Sequence, residues 1–218
     1  VLASESEDIV NRSIEEFEYH VDMARWMGYG KQFQDFKINV HISGRKGPQG
    51  IKDALKRLSP EARNCITIEN DEMCWGTDAS LELVDHCALV LDIHHHWVRE
   101  DEYITPTDDR FKRIVDSWRG VRPVIHYSYS RNEHLPSDFK HDSMPDMSML
   151  LEAGYKKQKL RAHSDLYPNP VANQWALSFI DHADIMCESK LKNLASIALF
   201  EFWKNLKNPV DNPTLEFV

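Results

Sequence analysis

The sequence predicts an α/β protein built around a parallel β-sheet. Five short segments rich in strand-forming residues alternate with amphipathic helical patterns; they are residues 36–40, 65–68, 88–91, 123–125 and 184–187. Such alternation is typical of parallel strands that are covered by helices on both faces. Each segment is followed by a histidine or a carboxylate side chain. With 42% hydrophobic residues among 218, the chain is long enough to bury a sizeable core.

A long amphipathic helix is predicted first. Apolar residues recur at helical spacing over residues 10–24. Ser4 and Glu7 have the spacing of a capping box, and Gly28 is placed to end the helix. The first strand follows, and after a glycine-containing loop Pro48 begins a second helix.

The rest of the chain repeats this order of strand and helix. We predict helices at residues 80–86, 108–118 and 191–202, after the second, third and fifth strands. Residues 128–160, after the fourth strand, are polar and contain several prolines, so we interpret them as a long insertion. We therefore expect one domain over residues 1–207 and a proline-containing tail over 208–218.

Composition and charge limit the kinds of binding partner and the cellular location that we expect for this chain. Lys and Arg number 26 against 35 Asp and Glu, a net charge of −9, so contact with nucleic acid requires a local basic surface. The chain has no apolar run of the roughly 18 residues that a membrane span needs, and no signal-peptide pattern. The four cysteines lack CxxC spacing. We expect no membrane partner, no disulfide framework and a reducing, cytoplasmic location.

The side chains that follow the five predicted strands are all able to bind metal: His41, Glu69, Asp92, His126 and Glu188. Because the carboxyl ends of parallel barrel strands meet on one face, these side chains should converge on one polynuclear site. His95 can face the same site, while His94 and His96 turn elsewhere or support the ligands. His163 is a further candidate. Mixed nitrogen and carboxylate ligands suit Mn²⁺, Zn²⁺ or Fe²⁺ better than Ca²⁺ or Mg²⁺.

A structural role is the ordinary explanation for one histidine after a strand, and it applies to His41 taken alone. It is a poor explanation of the whole set, because it must account for every strand end separately. We interpret His134 and His141, in the insertion, as residues of a solvated loop. On composition, the basic residues 156–161 are better explained by a solvated face than by a DNA contact.

Five motifs in one order resemble the signature of the UV damage endonuclease family: IEND at 68–71, LDIHH at 91–95, VIHYS at 124–128, RAHSD at 161–165 and DIMCESK at 184–190. The resemblance covers nearly the whole chain apart from the insertion and the tail. It implies a TIM (β/α)8 barrel that binds two or three divalent metal ions, with Mn²⁺ expected and Zn²⁺ as the alternative.

The reaction that this resemblance implies is the repair of damaged double-stranded DNA at the nucleoid of a bacterial-type cell, without an obligate protein partner. Such an enzyme nicks the backbone immediately 5′ of cyclobutane dimers and (6-4) photoproducts and leaves 3′-hydroxyl and 5′-phosphate ends. In the implied hydrolysis one metal ion activates water and a second stabilises the leaving oxygen.

The resemblance also assigns roles to individual residues. By matched motif, the metal ligands are His41, Glu69, Asp92, His95, His126, His163 and Glu188. The catalytic residues among them are Glu69, Asp92, His95 and Glu188. Further candidates, for contact with DNA, are Tyr127, Lys156, Lys157, Lys159 and Arg161.

The sequence departs from the family pattern in three places. It starts near the end of the third barrel strand, so we expect a truncated barrel with roughly strands 4–8, without two further histidine ligands and the Gln-aromatic pair that probes the lesion. Val124 stands where the family often has lysine, and the insertion after Tyr127 is longer than expected. We expect a barrel that is open at two sheet edges to be poorly stable or to associate.

Three alternatives stay open. Metal-dependent sugar isomerases and epimerases use the same barrel with Glu, Asp and His at the strand ends, and a net charge of −9 suits a small polyol. The number of histidines and the order of the motifs favour the nuclease. An abasic-site endonuclease with a similar metal site is a nearer alternative. A metal-binding or DNA-binding remnant without turnover is the third.

Overall fold

The computed structural model describes residues 1–207, and its centre is a five-stranded parallel sheet. The strands are neighbours in chain order: β1 (Ile38–His41), β2 (Ile66–Glu69), β3 (Ala88–Asp92), β4 (Val124–Tyr127) and β5 (Asp184–Cys187). Each neighbouring pair is parallel. The predicted α/β class and the five predicted strands are confirmed. The predicted tail, residues 208–218, lies outside the described residues.

Helices connect and flank these strands. In chain order they are α1 (Glu7–Trp26), α2 (Gly47–Leu55), α3 (Pro60–Cys65), α4 (Thr77–Ser80), α5 (Ile93–Glu100), α6 (Asp109–Ser117), α7 (Met147–Glu152), α8 (Lys157–Leu160), α9 (Pro170–Leu177) and α10 (Asn193–Lys207). Within residues 1–207, no helix combines the length and the apolarity that a membrane crossing requires.

Helix α1 follows the predicted amphipathic pattern but begins differently. Its N-cap is Ser6, and the predicted capping box is wrong, because the Ser4 hydroxyl accepts from the Ser6 N–H at 3.1 Å rather than from the helix. Gly28 ends the helix as predicted, with φ of +90°, a left-handed conformation that glycine adopts without strain.

Two predicted boundaries need correction. In place of the helix predicted at residues 80–86, α4 ends at Ser80 and a 3₁₀ turn covers Leu81–Leu83. Helix α5 directly follows the third strand, where the sequence predicts no helix before residue 108. This helix starts there because the Asp92 carboxylate caps it, accepting from the His95 N–H at 2.7 Å.

The segment at residues 128–160 is more ordered than its polar composition suggests. It contains α7 and α8, and Met147, Leu150 and Leu160 are buried in the core. His141, predicted in a solvated loop, is half-buried, with Nδ1 3.2 Å from the Tyr129 hydroxyl. A few buried apolar side chains therefore anchor this segment. They are too few to be recognised in a segment that is polar on average.

The sheet is curved, and the strand-end side chains of β2 and β4 lie on its concave face. Strands β2 and β3 are buried on both faces, whereas the edge strands β1 and β5 expose alternate residues. His126 Nδ1 on β4 lies 3.2 Å from Glu69 Oε1 on β2. Strands two places apart in a sheet are separated by about 10 Å, so side chains meet in this way only on a concave face.

Candidate metal centre

The strand-end side chains predicted from the sequence lie together at the carboxyl ends of the strands. His41, Glu69 and Asp92 are the last residues of β1, β2 and β3. His126 lies within β4, and Glu188 directly follows β5. Parallel strands with one concave face bring all five positions to one place.

Four of these residues form a compact group, which we call the strand-end quartet: Glu69, Asp92, His126 and Glu188. One ligand atom from each lies within 4.8 Å of the others. His126 Nδ1 is 3.2 Å from both Glu69 Oε1 and Glu188 Oε1. Three carboxylates and one imidazole at this spacing have the composition of a site for one divalent cation.

A second group shares Glu69 with the quartet. His41, Glu69 and His95 each place a ligand atom within 4.8 Å of the other two. His41 Nε2 lies 3.4 Å from Glu69 Oε2, whereas Glu69 Oε1 faces His126. Oε1 also lies 3.3 Å from His95 Nδ1, and Oε2 also accepts from the Asn39 amide, so the two groups share the Glu69 carboxylate.

His163 lies at the margin of this arrangement. Its Nε2 is 4.0 Å from Glu188 Oε2, and its ring centroid is 6.4 Å from that of His95. An isolated backbone pairing with Ser130 holds it there. His163 is therefore near the quartet but outside its closest contacts.

Asn70 fixes the geometry of two predicted ligands, although the sequence suggests no role for it. Its amide donates to the Asp92 carbonyl at 3.0 Å, and its Oδ1 accepts from the Asp92 N–H at 2.8 Å. The Asn70 carbonyl lies 3.1 Å from His95 Nδ1. A histidine that donates one ring N–H to a carbonyl presents its other nitrogen to a metal, so Asn70 also orients His95.

Burial and neighbouring charges set the ionisation of the three carboxylates. Burial raises the pKa of Asp92, which is fully buried, and also raises the pKa of Glu188. Burial acts in the same direction on Glu69, but the adjacent imidazoles of His126 and His95 outweigh it, so the pKa of Glu69 is lowered. Ionisation of this group of carboxylates therefore depends on nearby positive charge.

The histidines supply that charge when no metal is bound. Burial acts to lower the pKa of His95, but the charges of Asp92 and Glu69 outweigh it and raise the pKa to about 10. The same balance raises the pKa of His126, where Glu69 is the principal partner. Protons on these imidazoles thus occupy the place of cations, and metal binding would release them.

Unpartnered polar atoms test whether these residues fit a metal. Within residues 1–207, the buried atoms Glu69 Oε1, Asp92 Oδ2 and His126 Nδ1 have no hydrogen-bond partner. A buried polar atom without a partner costs about 1–3 kcal/mol, and a cation at this point would satisfy all three. The residues present therefore fit a divalent metal ion.

Val124, which stands where the resemblance expects lysine, lies among apolar side chains. It packs against a small cluster of Ala88, Val90 and Trp118. Its neighbours accommodate an aliphatic side chain, and this position supplies no metal ligand.

The three consecutive histidines of α5 have separate partners. His95 joins the ligand group, whereas His94 Nε2 lies 3.1 Å from the Leu160 carbonyl and His96 Nδ1 lies 2.8 Å from the Thr77 hydroxyl. His94 and His96 therefore turn away from the ligand group, which is the first of the two roles predicted for them.

The candidates for DNA contact divide into two groups. Tyr127 is fully buried, stacks on Tyr167 at a centroid distance of 4.6 Å and donates to Asn173 Oδ1 at 2.9 Å, so it offers no surface to DNA, and this prediction is corrected. The basic residues lie on or beside α8. Lys156, Lys159 and Arg161 are exposed, and Lys157 is half-buried.

Two acidic residues beside the site have no counterpart in the sequence-based prediction. Asp71 Oδ2 lies 3.3 Å from His41 Nδ1, and Glu72 Oε2 lies 3.5 Å from His95 Nε2. His41, Asp71 and Glu72 also place ligand atoms within 4.8 Å of one another. Their positions in the sequence could have indicated this role, because Asp71 ends the IEND motif and Glu72 follows it, close to the strand-end Glu69.

Comparisons with known proteins agree with this geometry. A sequence profile described as UV-endonuclease UvdE matches residues 1–217. A UV-damage endonuclease of Neurospora crassa is 26% identical over 184 residues, which cover 72% of this chain and 28% of that protein. A UV DNA damage endonuclease of Bacillus cereus is 22% identical over 217 residues, which cover 92% and 58%.

Among solved structures, the crystal structure of SacUVDE has the same fold. The match has a TM-score of 0.69 at 22% identity and covers 95% of this chain and 63% of that one. The chain therefore spans less than two thirds of the length of each of these proteins.

Proposed function

Because this chain belongs to the UV-endonuclease UvdE family, we propose that it carries the metal centre of a DNA repair endonuclease. The proposed reaction is hydrolysis of double-stranded DNA immediately 5′ of cyclobutane dimers and (6-4) photoproducts, which leaves 3′-hydroxyl and 5′-phosphate ends. The observation that supports it best is the strand-end quartet, where side chains from four strands meet around buried polar atoms that lack partners.

The proposed architecture is part of a (β/α)8 barrel. Three features support it. The sheet is all parallel, its strands are neighbours in the order in which they occur in the chain, and its concave face lies at the carboxyl ends of the strands. The edge strands β1 and β5 are the places where the other strands of a barrel would pair.

The proposed cofactors are two or three divalent ions, with Mn²⁺ as the first choice and Zn²⁺ as the alternative. The quartet would hold one ion, and His41, Glu69 and His95 a second. His163, beside Glu188, is the proposed ligand of a third. When bound, such ions lower the pKa of water and neutralise charge on a phosphate.

The protein side chains have different tasks in this proposal. Glu69, with 1% of its side chain exposed, and the fully buried Asp92 hold the centre. Glu188 has 30% of its side chain exposed, so it is the carboxylate of the quartet that a substrate can approach. We assign the catalytic roles to Glu69, Asp92, His95 and Glu188, with Asn70 keeping two of them in place.

The test is incision of an end-labelled duplex that carries one (6-4) photoproduct, beside undamaged and abasic duplexes, with Mn²⁺ or with EDTA. It should be run on this chain and on a version extended by any native sequence that precedes Val1. We expect a Mn²⁺-dependent cut directly 5′ of the photoproduct. Glu188→Gln should reduce its rate at least about 100-fold, whereas Glu152→Gln, on the exposed face of α7, should not change it.

Each other outcome favours a specific alternative. Cutting that persists at the parent rate in Glu69→Gln and Glu188→Gln would show that the assigned site is wrong. Preference for the abasic duplex would favour an abasic-site endonuclease. Turnover of sugars without any DNA cutting would favour the isomerase class, and bound metal without turnover would favour a remnant.

A further inference from the structure

A salt bridge connects the metal centre to the basic segment, residues 156–161. Glu72 Oε1 accepts from Arg161 Nη1 at 2.6 Å, across 89 residues of sequence. Only 8% of the Glu72 side chain is exposed, and its other oxygen, Oε2, lies 3.5 Å from His95 Nε2. One carboxylate therefore touches both a predicted metal ligand and an exposed arginine.

The backbone of the basic segment is held independently of this bridge. The Leu160 carbonyl accepts from Ser130 Oγ at 2.6 Å and lies 3.1 Å from His94 Nε2, and the Leu160 side chain is fully buried. The Arg131 N–H donates to the Ala162 carbonyl at 3.0 Å. These contacts fix the position of the Arg161 backbone, so the bridge to Glu72 determines where its guanidinium points.

The Arg161 guanidinium keeps donors available beside the metal centre. Arg161 has 49% of its side chain exposed, and a guanidinium has five N–H donors, of which Glu72 engages one. An open groove of about 510 Å³ runs beside Glu72 and is lined by two basic side chains, Arg99 and Lys157, and by two acidic ones, Glu72 and Glu100. In a chain with a net charge of −9, the local basic surface that DNA requires is supplied by the exposed side chains of Lys156, Lys159 and Arg161.

We propose that Glu72 is a positioning residue that aims the Arg161 guanidinium at a phosphate of the DNA backbone next to the metal centre. The inference rests on the proposed function and adds a residue to it. Arginine suits this role because its planar fork binds phosphate oxygens while one edge stays on a carboxylate.

The effect of Glu72→Gln on DNA affinity distinguishes a positioning role from a simple charge effect, because the two predict changes of opposite sign. Removal of a negative charge near DNA should strengthen binding if Glu72 acts only through its charge. If Glu72 aims Arg161, Glu72→Gln should weaken binding instead. Glu100→Gln is the matched control, because Glu100 lines the same groove but pairs with Arg99, and its removal should not weaken binding.

The experiment measures duplex binding by fluorescence anisotropy, with Ca²⁺ in place of Mn²⁺, and single-turnover cutting with Mn²⁺. Glu72→Gln keeps an acceptor oxygen but loses the charge that fixes the guanidinium, and loss of one hydrogen bond from a misaimed guanidinium to a phosphate corresponds to about a tenfold change in Kd. We expect Glu72→Gln and Arg161→Ala each to raise Kd by that factor, and the double variant to match Arg161→Ala alone. Damaged and undamaged duplexes should be affected equally, because phosphate contacts carry no sequence information. Metal content should stay at the parent value in these variants, whereas Glu100→Gln should change neither Kd nor the cutting rate.

Several results would overturn the inference. A further loss from Glu72→Gln in the Arg161→Ala background would mean that Glu72 acts through His95 instead, as would a loss of bound metal. Tighter binding by Glu72→Gln would mean that only its charge matters. If Glu72→Gln does not fold, Glu72→Asp, which shortens the side chain, should show the same loss. Binding without cutting by the parent chain would refute the proposed function alone, whereas no binding to any duplex would refute both.

Discussion

Replacement of Asp92 by asparagine should stabilise the metal-free chain while weakening its metal binding. Asp92 is fully buried, and burial raises the pKa of its carboxyl group. Its Oδ1 caps α5 by accepting from the His95 N–H, whereas Oδ2 has no hydrogen-bond partner within residues 1–207. Asparagine caps helices as well as aspartate does, so Asp92→Asn keeps the cap, removes the charge and puts an amide N–H₂ at the position of Oδ2, within reach of the Glu69 and Glu188 carboxylates.

The magnitude follows from this geometry. Asp92 Oδ2 lies 3.6 Å from His95 Nε2, yet burial still raises the pKa of Asp92, so its charge is a net cost in the fold. Desolvation of a buried polar group costs about 1–3 kcal/mol, so Asp92→Asn should raise the free energy of unfolding by up to that amount in EDTA at pH 7. The gain depends on pH in a definite direction. An acid with a raised pKa in the fold carries its penalty above the pKa of the unfolded state, about 3.9, so the difference should disappear as the pH falls toward that value.

Bound metal should cancel the stability advantage of Asp92→Asn over the parent, or reverse it. At a concentration of 1,000 times Kd, a metal stabilises the parent by about 4.1 kcal/mol. If the variant binds about 100-fold more weakly, the same concentration stabilises it by only about 1.4 kcal/mol. The measurement is urea unfolding of both proteins in EDTA and in Mn²⁺. Asp146→Asn is the control, because Asp146 caps α7 at an exposed position, accepting from the Met149 N–H at 2.8 Å.

Two results would refute this reasoning. A variant that is less stable than the parent in EDTA at pH 7 would show that the Asp92 charge is already compensated by the histidines around it. An equal metal-induced gain in parent and variant would show that Asp92 is not a ligand. Asp146→Asn should change stability by less than about 0.5 kcal/mol and leave the metal-induced gain unchanged.

Three further predictions concern residues outside the proposed ligand set. Tyr127→Phe leaves Asn173 Oδ1 without its donor, so the free energy of unfolding in urea should fall by about 1–2 kcal/mol while duplex affinity stays constant. Burial raises the pKa of Cys87 to about 12, so iodoacetamide at pH 8 should modify Cys87 only after unfolding, as mass spectrometry would show. Hydrogen bonds from Arg110 lower the pKa of Asp108 and Glu102, so Arg110→Ala should cost up to about 1 kcal/mol at pH 7 and nothing in acid, where both carboxyl groups are protonated.

The strands and their terminal side chains could be predicted because the relevant signals are local. Short apolar runs identify parallel strands, and the residue after each run lies at the carboxyl end by definition. Alternation of side chains along a strand also indicates which face of the sheet each residue occupies. His126 and Tyr127 are consecutive in β4, so they point to opposite faces, and a ligand role for His126 already places Tyr127 on the helix-covered face.

Contacts between distant segments could not be predicted in this way. Glu72 and Arg161 are 89 residues apart, and nothing in either local sequence indicates the other. Asn70 and Asp92 exchange two hydrogen bonds across 22 residues because β2 and β3 are neighbours in the sheet. The order of strands in a sheet is a property of the whole fold, so these pairs become visible only when the strands are placed.

Which histidine of α5 faces the metal centre depends on the residue at which the helix begins, and the sequence leaves that residue undecided. Consecutive residues on a helix point about 100° apart, so only one of three neighbouring histidines can face a site on the strand ends. Asp92 is both the last residue of β3 and the cap of α5. Since residues three apart lie on one face of a helix, a helix that starts directly after Asp92 makes His95 the histidine that shares its face. A helix that started one residue later would turn His96 toward the site instead, and the hydrogen bond from the His95 N–H to Asp92 is what prevents this shift.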